Sequence, residues 1–105
     1  MKNSVSNQDF KQLLFHTKSL YIRDLVFYYR AHQKHGVSFI VGRNKGNAIL
    51  RNTFKRRCRA IVRQNKQLKL KKIQLIIKPT KNLKNNYSWQ ELNLSFDKFF
   101  IKLEL

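Results

Sequence analysis

The sequence predicts an α+β two-layer sandwich with element order αββαβα and a mixed central sheet of about four or fewer strands. Three features predict it. Residues that favour strands gather around positions 21–30, 37–41 and 73–79; the apolar period lengthens to about 3.6 residues from Ala48 onwards; and Ser88 with Glu91 forms a capping box ahead of a final helical pattern. With 105 residues, 42 % of them apolar or aromatic, the chain fills one modest core and not two, so residues 1–105 are read as one domain.

Ser6 and Asp9 form a first capping-box pattern, and Phe10, Leu13 and Leu14 follow at helical spacing, which predicts a short helix over about 7–16. From 21 to 30 the run Leu25-Val26-Phe27-Tyr28-Tyr29 predicts a strand with apolar residues on both faces. A polar stretch over 31–35 ends at Gly36, and Val37, Phe39 and Val41 then alternate with Ser38 and Ile40, predicting a second strand, antiparallel to the first across a hairpin loop. Gly42 to Asn47 reads as a glycine-punctuated loop before a helix reaching about residue 65. Residues 66–72 read as a basic connector. Ile73 to Ile77, closed by Pro79, is apolar enough for a strand buried on both faces at the centre of the sheet. A strand, helix, strand passage makes it parallel to the strand before the helix. Trp89, Leu92, Phe96, Phe99, Phe100 and Leu103 mark the last amphipathic helix.

Charge is the second message of the sequence. Lys and Arg number 23 against 5 Asp and Glu, giving a formal net charge of +18, and no acid occurs between Leu25 and Gln90. Such a field calls for a polyanionic partner. The 12 basic residues from Arg43 to Lys72 are threaded by regularly spaced apolar residues, which a solvated disordered tail has no reason to keep. Cys58 stands alone, so an internal disulfide and a cysteine metal framework are both excluded, in keeping with a reducing compartment. The first nine residues lack the apolar stretch of a signal peptide, and no apolar run approaches the roughly 18 residues of a membrane span. The cytoplasm is the expected location, with no membrane and no obligate protein partner.

At 100° per residue, Leu50, Phe54, Cys58, Ile61 and Val62 share one sector of the 48–65 helix, while Asn52, Lys55, Arg56, Arg59 and Arg63 share a neighbouring sector of about 100°. Arg51 lies at the border and Arg57 beyond the far edge. Lys55, Arg59 and Arg63 repel at four-residue spacing, where an ordinary solvated face would alternate signs. Guanidinium forks match phosphate oxygens in two-point geometry, so the helix points to nucleic acid, and to structured RNA in particular. Phe10, Tyr21, Tyr28 and Tyr29 are candidates for stacking unpaired bases, with core packing as the plainer role for each ring. His32 and His35 have metal-compatible spacing without a third ligand nearby, and Cys58 falls on the apolar side as a small hydrophobe. The scattered carboxylates form no catalytic constellation, and the glycine loop is neither a nucleotide-binding P-loop nor a dinucleotide fingerprint.

The run Gly46-Asn47-Ala48-Ile49-Leu50-Arg51-Asn52-Thr53-Phe54-Lys55-Arg56-Arg57-Cys58-Arg59 resembles the signature of the bacterial ribonuclease P protein, Gly-Asn-Ala-Val-x-Arg-Asn-x-Ile-Lys-Arg-x-x-Arg. The resemblance extends to Asp9-Phe10, Leu25 to Tyr28, Val41 to Asn44 and the strand ending near Pro79. It implies a protein that binds the catalytic RNA subunit and the 5′ leader of precursor tRNA, while the RNA and its Mg2+ ions release the leader. No metal bound by protein ligands and no protein-borne active site are implied. By resemblance, Arg51, Asn52, Lys55, Arg56 and Arg59 contact the RNA subunit; Arg63 on the same face and Arg43 and Lys45 in the preceding loop complete the candidate set. Phe10 and Tyr28 line the family's leader cleft, and Leu14 and Arg30 are added as leader candidates. The family fold is shared with a ribosomal-protein domain and carries a left-handed βαβ crossover, against the usual preference. The chain has Gly42-Arg43-Asn44 where the family usually has Ser-Lys-Lys, one cation fewer, and Leu14 where many members have Phe. Composition by itself equally permits a structural ribosomal-RNA-binding protein, whereas a protein-borne nuclease lacks candidate bases and ligands.

Overall fold

The structure, a computed structural model, describes residues 18–85 and 87–103. The helix expected over 7–16, with Phe10 and Leu14, lies outside the described residues. A hairpin comes first, β1 (Lys18–Ile22) and β2 (Leu25–Ala31), antiparallel with Ile22 opposite Leu25. One strand was expected over 21–30; two occur, because Arg23 adopts φ 53° and reverses the chain within two residues. A left-handed arginine costs about 1–2 kcal/mol, and the turn is held from several sides. Thr80 N–H and the Tyr87 hydroxyl both donate to the Asp24 carbonyl, at 3.0 and 2.7 Å. Arg23 pairs with Glu91, and Lys81 Nζ lies 3.1 Å from the Asp24 carboxylate.

After β2 come β3 (Gly36–Phe39), helix α1 (Ala48–Gln64), a short helix α2 (Lys66–Leu70), β4 (Ile73–Pro79) and α3 (Trp89–Lys102). Residues 66–72 are therefore not a plain connector. Asn65 closes α1, and its Oδ1 accepts the Leu68 N–H at 3.2 Å to start α2. The sheet order is β1-β2-β4-β3, with β4 antiparallel to β2 and parallel to β3. The expected hairpin between β2 and β3 is corrected: β4 lies between them, and the 32–35 connection passes the start of β4, where His32 N–H donates to Lys72 O at 2.9 Å. The parallel pairing and the central, doubly buried β4 are as the sequence predicts; Ile73 to Ile77 are all buried.

Register assigns the faces. Leu25, Phe27 and Tyr29 align with Pro79, Ile77 and Leu75, and Val37 and Phe39 join them from β3. These residues meet Phe54, Cys58 and Ile61 of α1 and Leu92, Phe96, Phe99 and Phe100 of α3 in one core. Phe27 stacks on Phe99 with centroids 4.2 Å apart and receives Phe96 edge-on at 5.2 Å. Tyr29 meets Phe99 edge-on at 5.6 Å, so it belongs to the core and not to a stacking platform. On the other sheet face stand Val26, Tyr28 and Arg30 beside Lys78, Ile76 and Gln74. The architecture is an α+β fold, a mixed four-stranded sheet with α1 and α3 on one side.

Candidate nucleic-acid interface

Asn47 begins the site. Its backbone is extended and its Oδ1 accepts the Leu50 N–H at 2.9 Å, satisfying one of the free amides of the first turn of α1. The preceding loop is a single 3₁₀ turn, Arg43–Lys45. Gly46 permits a close approach: a Cβ there would lie 3.2 Å from both Cβ and Cδ1 of Leu50 and 3.4 Å from Leu83 Cβ, so Leu50 would have to shift by a few tenths of an ångström. Lys45, a candidate RNA contact, also ties the loop to the fold: its Nζ donates to Thr80 O at 3.1 Å while its carbonyl accepts from Leu83 N–H at 2.7 Å. Arg43 is exposed in the turn.

Along α1 the helix divides as its periodicity demands. Phe54, Cys58 and Ile61 are buried; Asn52, Arg56 and Arg63 are exposed; Arg51, Lys55 and Arg59 are half-buried at the margin. Among the described residues the face carries no carboxylate, and the acids Asp24 and Glu91 are engaged by Lys81 and Arg23. Arg59 lies with its guanidinium carbon 5.3 Å from the Phe39 ring centre, a contact that fixes a cation at the edge of the sheet. The Nε atoms of Arg51 and Arg59 are buried with no hydrogen-bond partner among the described residues. A donor left in that condition costs about 1–3 kcal/mol. Burial pushes the Cys58 thiol well above its ordinary range despite the opposing pull of Arg59, so it stays a neutral core group.

Tyr28 and Arg30 sit on the far face of the sheet, separated from the α1 cations by the sheet itself. Burial, followed by the neighbouring Tyr21, raises the Tyr28 hydroxyl above its usual value. Arg30 Nε donates to Gln74 Oε1 at 2.8 Å, a positioning contact that sequence reading missed because Gln74 stands inside an apolar run. Tyr21 is 74 % exposed beside Tyr28, in keeping with a ring available to a ligand. His32 Nδ1 accepts the Lys34 N–H at 3.1 Å, and no group of three His, Cys, Asp or Glu able to hold a metal occurs among the described residues. Among them, too, no helix is long and apolar enough to cross a membrane.

The model of the family described as Ribonuclease P matches residues 4–104. The chain belongs to the ribonuclease P protein family. Solved structures agree with the fold. The ribonuclease P protein of Thermotoga maritima is 24 % identical, over 90 % of this chain and 91 % of that one, with a TM-score of 0.78. That of Staphylococcus aureus is 20 % identical, over 93 % and 91 %, with a TM-score of 0.79. No curated protein sequence matches the chain. Membership in the ribonuclease P family supports a role in an endoribonuclease holoenzyme and in tRNA processing.

Proposed function

We propose that the chain is the RNA-docking subunit of that holoenzyme, binding the catalytic RNA through α1 and the 5′ leader of precursor tRNA through the far face of the sheet. The observation that carries this reading is the α1 face, where Arg51, Asn52, Lys55, Arg56, Arg59 and Arg63 converge without a carboxylate. Among the described residues no carboxylate relieves the repulsion along that face, and a fixed array of phosphates would do so. Arg43 extends the cationic surface towards the helix start, and Lys45, which spends one of its donors on Thr80 O, keeps two for a phosphate. On the other face Tyr28 and Arg30 supply a ring and a cation for an unpaired strand; the roles assigned to Phe10 and Leu14 belong to the same reading.

Hydrolysis is assigned to the RNA with its own Mg2+ ions. The described residues of the chain do not fit a magnesium site, because Asp24 and Glu91 are taken up by cations and the remaining described carboxylate, Asp97, lies apart from both on α3. The holoenzyme would act in the cytoplasm without a membrane or an obligate protein partner. The test is reconstitution of the pure chain with its cognate catalytic RNA and precursor tRNA at low magnesium. Leader release stimulated only when both RNA and protein are present supports the proposal. Cleavage by the protein alone would transfer the chemistry to the chain, and no stimulation would favour a structural ribosomal-RNA binder.

A further inference from the structure

The helix layer carries a groove that neither the α1 cations nor the far face of the sheet uses. It has a volume of about 450 Å³ and lies between the end of α1 and α3, lined by Ile61, Asn65, Lys66, Asn93, Asp97 and Phe100 among others. Its chemistry is unlike the rest of this cationic protein. Asp97 is exposed and forms no ion pair among the described residues, whereas Asp24 and Glu91 both do. Asn93 Nδ2 donates to Trp89 O at 2.8 Å, leaving Oδ1 as a free acceptor; Asn65 Oδ1 accepts from Leu68 N–H, leaving its amide protons to donate. Acceptors on α3 thus face donors on Asn65 and Lys66 over an apolar floor of Ile61 and Phe100.

Trp89, Asn93 and Asp97 stand four residues apart, on one stripe of α3. At about 1.5 Å rise per residue, Trp89 lies about 12 Å along the helix from Asp97. Trp89 is 44 % exposed, and the Arg57 guanidinium sits 5.9 Å from its ring centre, itself held by a hydrogen bond to Tyr87 O at 3.2 Å. Ring and guanidinium planes are the surfaces on which unpaired bases stack. A carboxylate, by contrast, rejects a phosphate and accepts the N–H donors of a base edge. Guanine alone of the four bases presents an N1–H and an N2 amino group together, with O6 beside them to accept from an amide or ammonium.

We propose that this inter-helical groove is a separate site for single-stranded RNA, selecting an unpaired guanine at Asp97 while a neighbouring base of the same strand stacks on Trp89 and Arg57, about two turns along α3 and outside the groove itself. Trp89 is the chain's sole tryptophan and shares the α3 stripe of Asn93 and Asp97, so its fluorescence gives one local signal, and Asp97→Asn separates this groove from binding on α1. The experiment titrates the full chain with hexauridylates in which one residue is guanosine, inosine or adenosine. Guanosine should bind about tenfold more tightly than adenosine, the scale of one well-made hydrogen bond to a charged group, and inosine, which lacks the N2 amino group, should fall between. Asp97→Asn should erase that preference while quenching persists. A purely electrostatic surface predicts the opposite sign, since removing a negative charge would tighten every oligonucleotide. Uniform tightening, quenching without base preference, or no quenching would overturn the proposal. So would displacement of the oligonucleotide by spermidine at matched ionic strength, which would mark a polyamine site, or equally tight binding of GMP alone, which would mark a free-nucleotide site.

Discussion

Arg59 packs on Phe39 and also belongs to the proposed docking face, and a substitution there separates the two roles. Its contact with Phe39, at 5.3 Å, is worth about 0.5–1 kcal/mol. Arg56, three residues earlier, is exposed and forms no hydrogen bond or ion pair among the described residues. Arg59→Ala is therefore expected to lower both stability and RNA affinity, and Arg56→Ala affinity alone. If each side chain neutralises one phosphate, each variant loses about 0.9 from the slope of log affinity against log salt. Across a fourfold range, from about 50 to about 200 mM, the variant's affinity then falls about 3.5-fold less than that of the parent. Fluorescence-anisotropy titrations against the RNA subunit at several salt concentrations read the slope, and urea unfolding reads the stability. Unchanged slopes in both variants would refute the docking face, while equal stability losses would refute the special place given to the Phe39 contact.

Phe27→Ala removes the ring stacked on Phe99 and met by Phe96, and is expected to cost about 3–5 kcal/mol in urea unfolding. Asn47→Ala deletes the cap of α1 and should lower stability by about 1 kcal/mol, read as an earlier thermal transition in far-UV circular dichroism. Cys58 is expected to resist thiol reagents in the folded chain and to add a pH dependence. Because burial raises its folded pKa above the unfolded value near 9, its contribution is intact below pH 9 and is lost as pH rises beyond it, by up to about 1.4 kcal/mol per pH unit. Comparison with Cys58→Ala over that range isolates this slope, and identical slopes would show that the thiol is already ionisable in the native state.

The parts of the fold legible in the sequence are those whose signals are local. Ser88 declares its helix because a cap acts within three residues, and the α1 faces follow from a period that packing only ratifies; Asn47, read as the end of a loop, is shown to cap α1 only by the structure. β4 is legible because a strand buried on both faces needs Ile73 to Ile77 nearly all apolar. The β1–β2 turn is not legible, since Arg23 is no residue to announce a left-handed conformation and its support comes from Thr80, Lys81, Tyr87 and Glu91, far along the chain. Strand order is equally non-local: nothing between Ala31 and Gly36 reveals that β4 will enter between their strands. Asn65 hides α2 by closing one helix and opening the next. At the site, the cationic sector was readable, but Phe39 beneath Arg59, Gln74 beside Arg30 and Thr80 O beneath Lys45 were not, because each joins segments distant in sequence.

The order β1-β2-β4-β3 has a consequence for synthesis on the ribosome. Two of the three seams of the sheet require β4, so a nascent chain that ends before Ile73 owns a two-stranded hairpin, marginal in water, and a helix studded with cations. The cationic helix proposed to meet phosphate is thus translated ahead of the strand that secures it. Closure waits for the last third of the chain, and until then the emerging polypeptide is a basic tether without a settled interior.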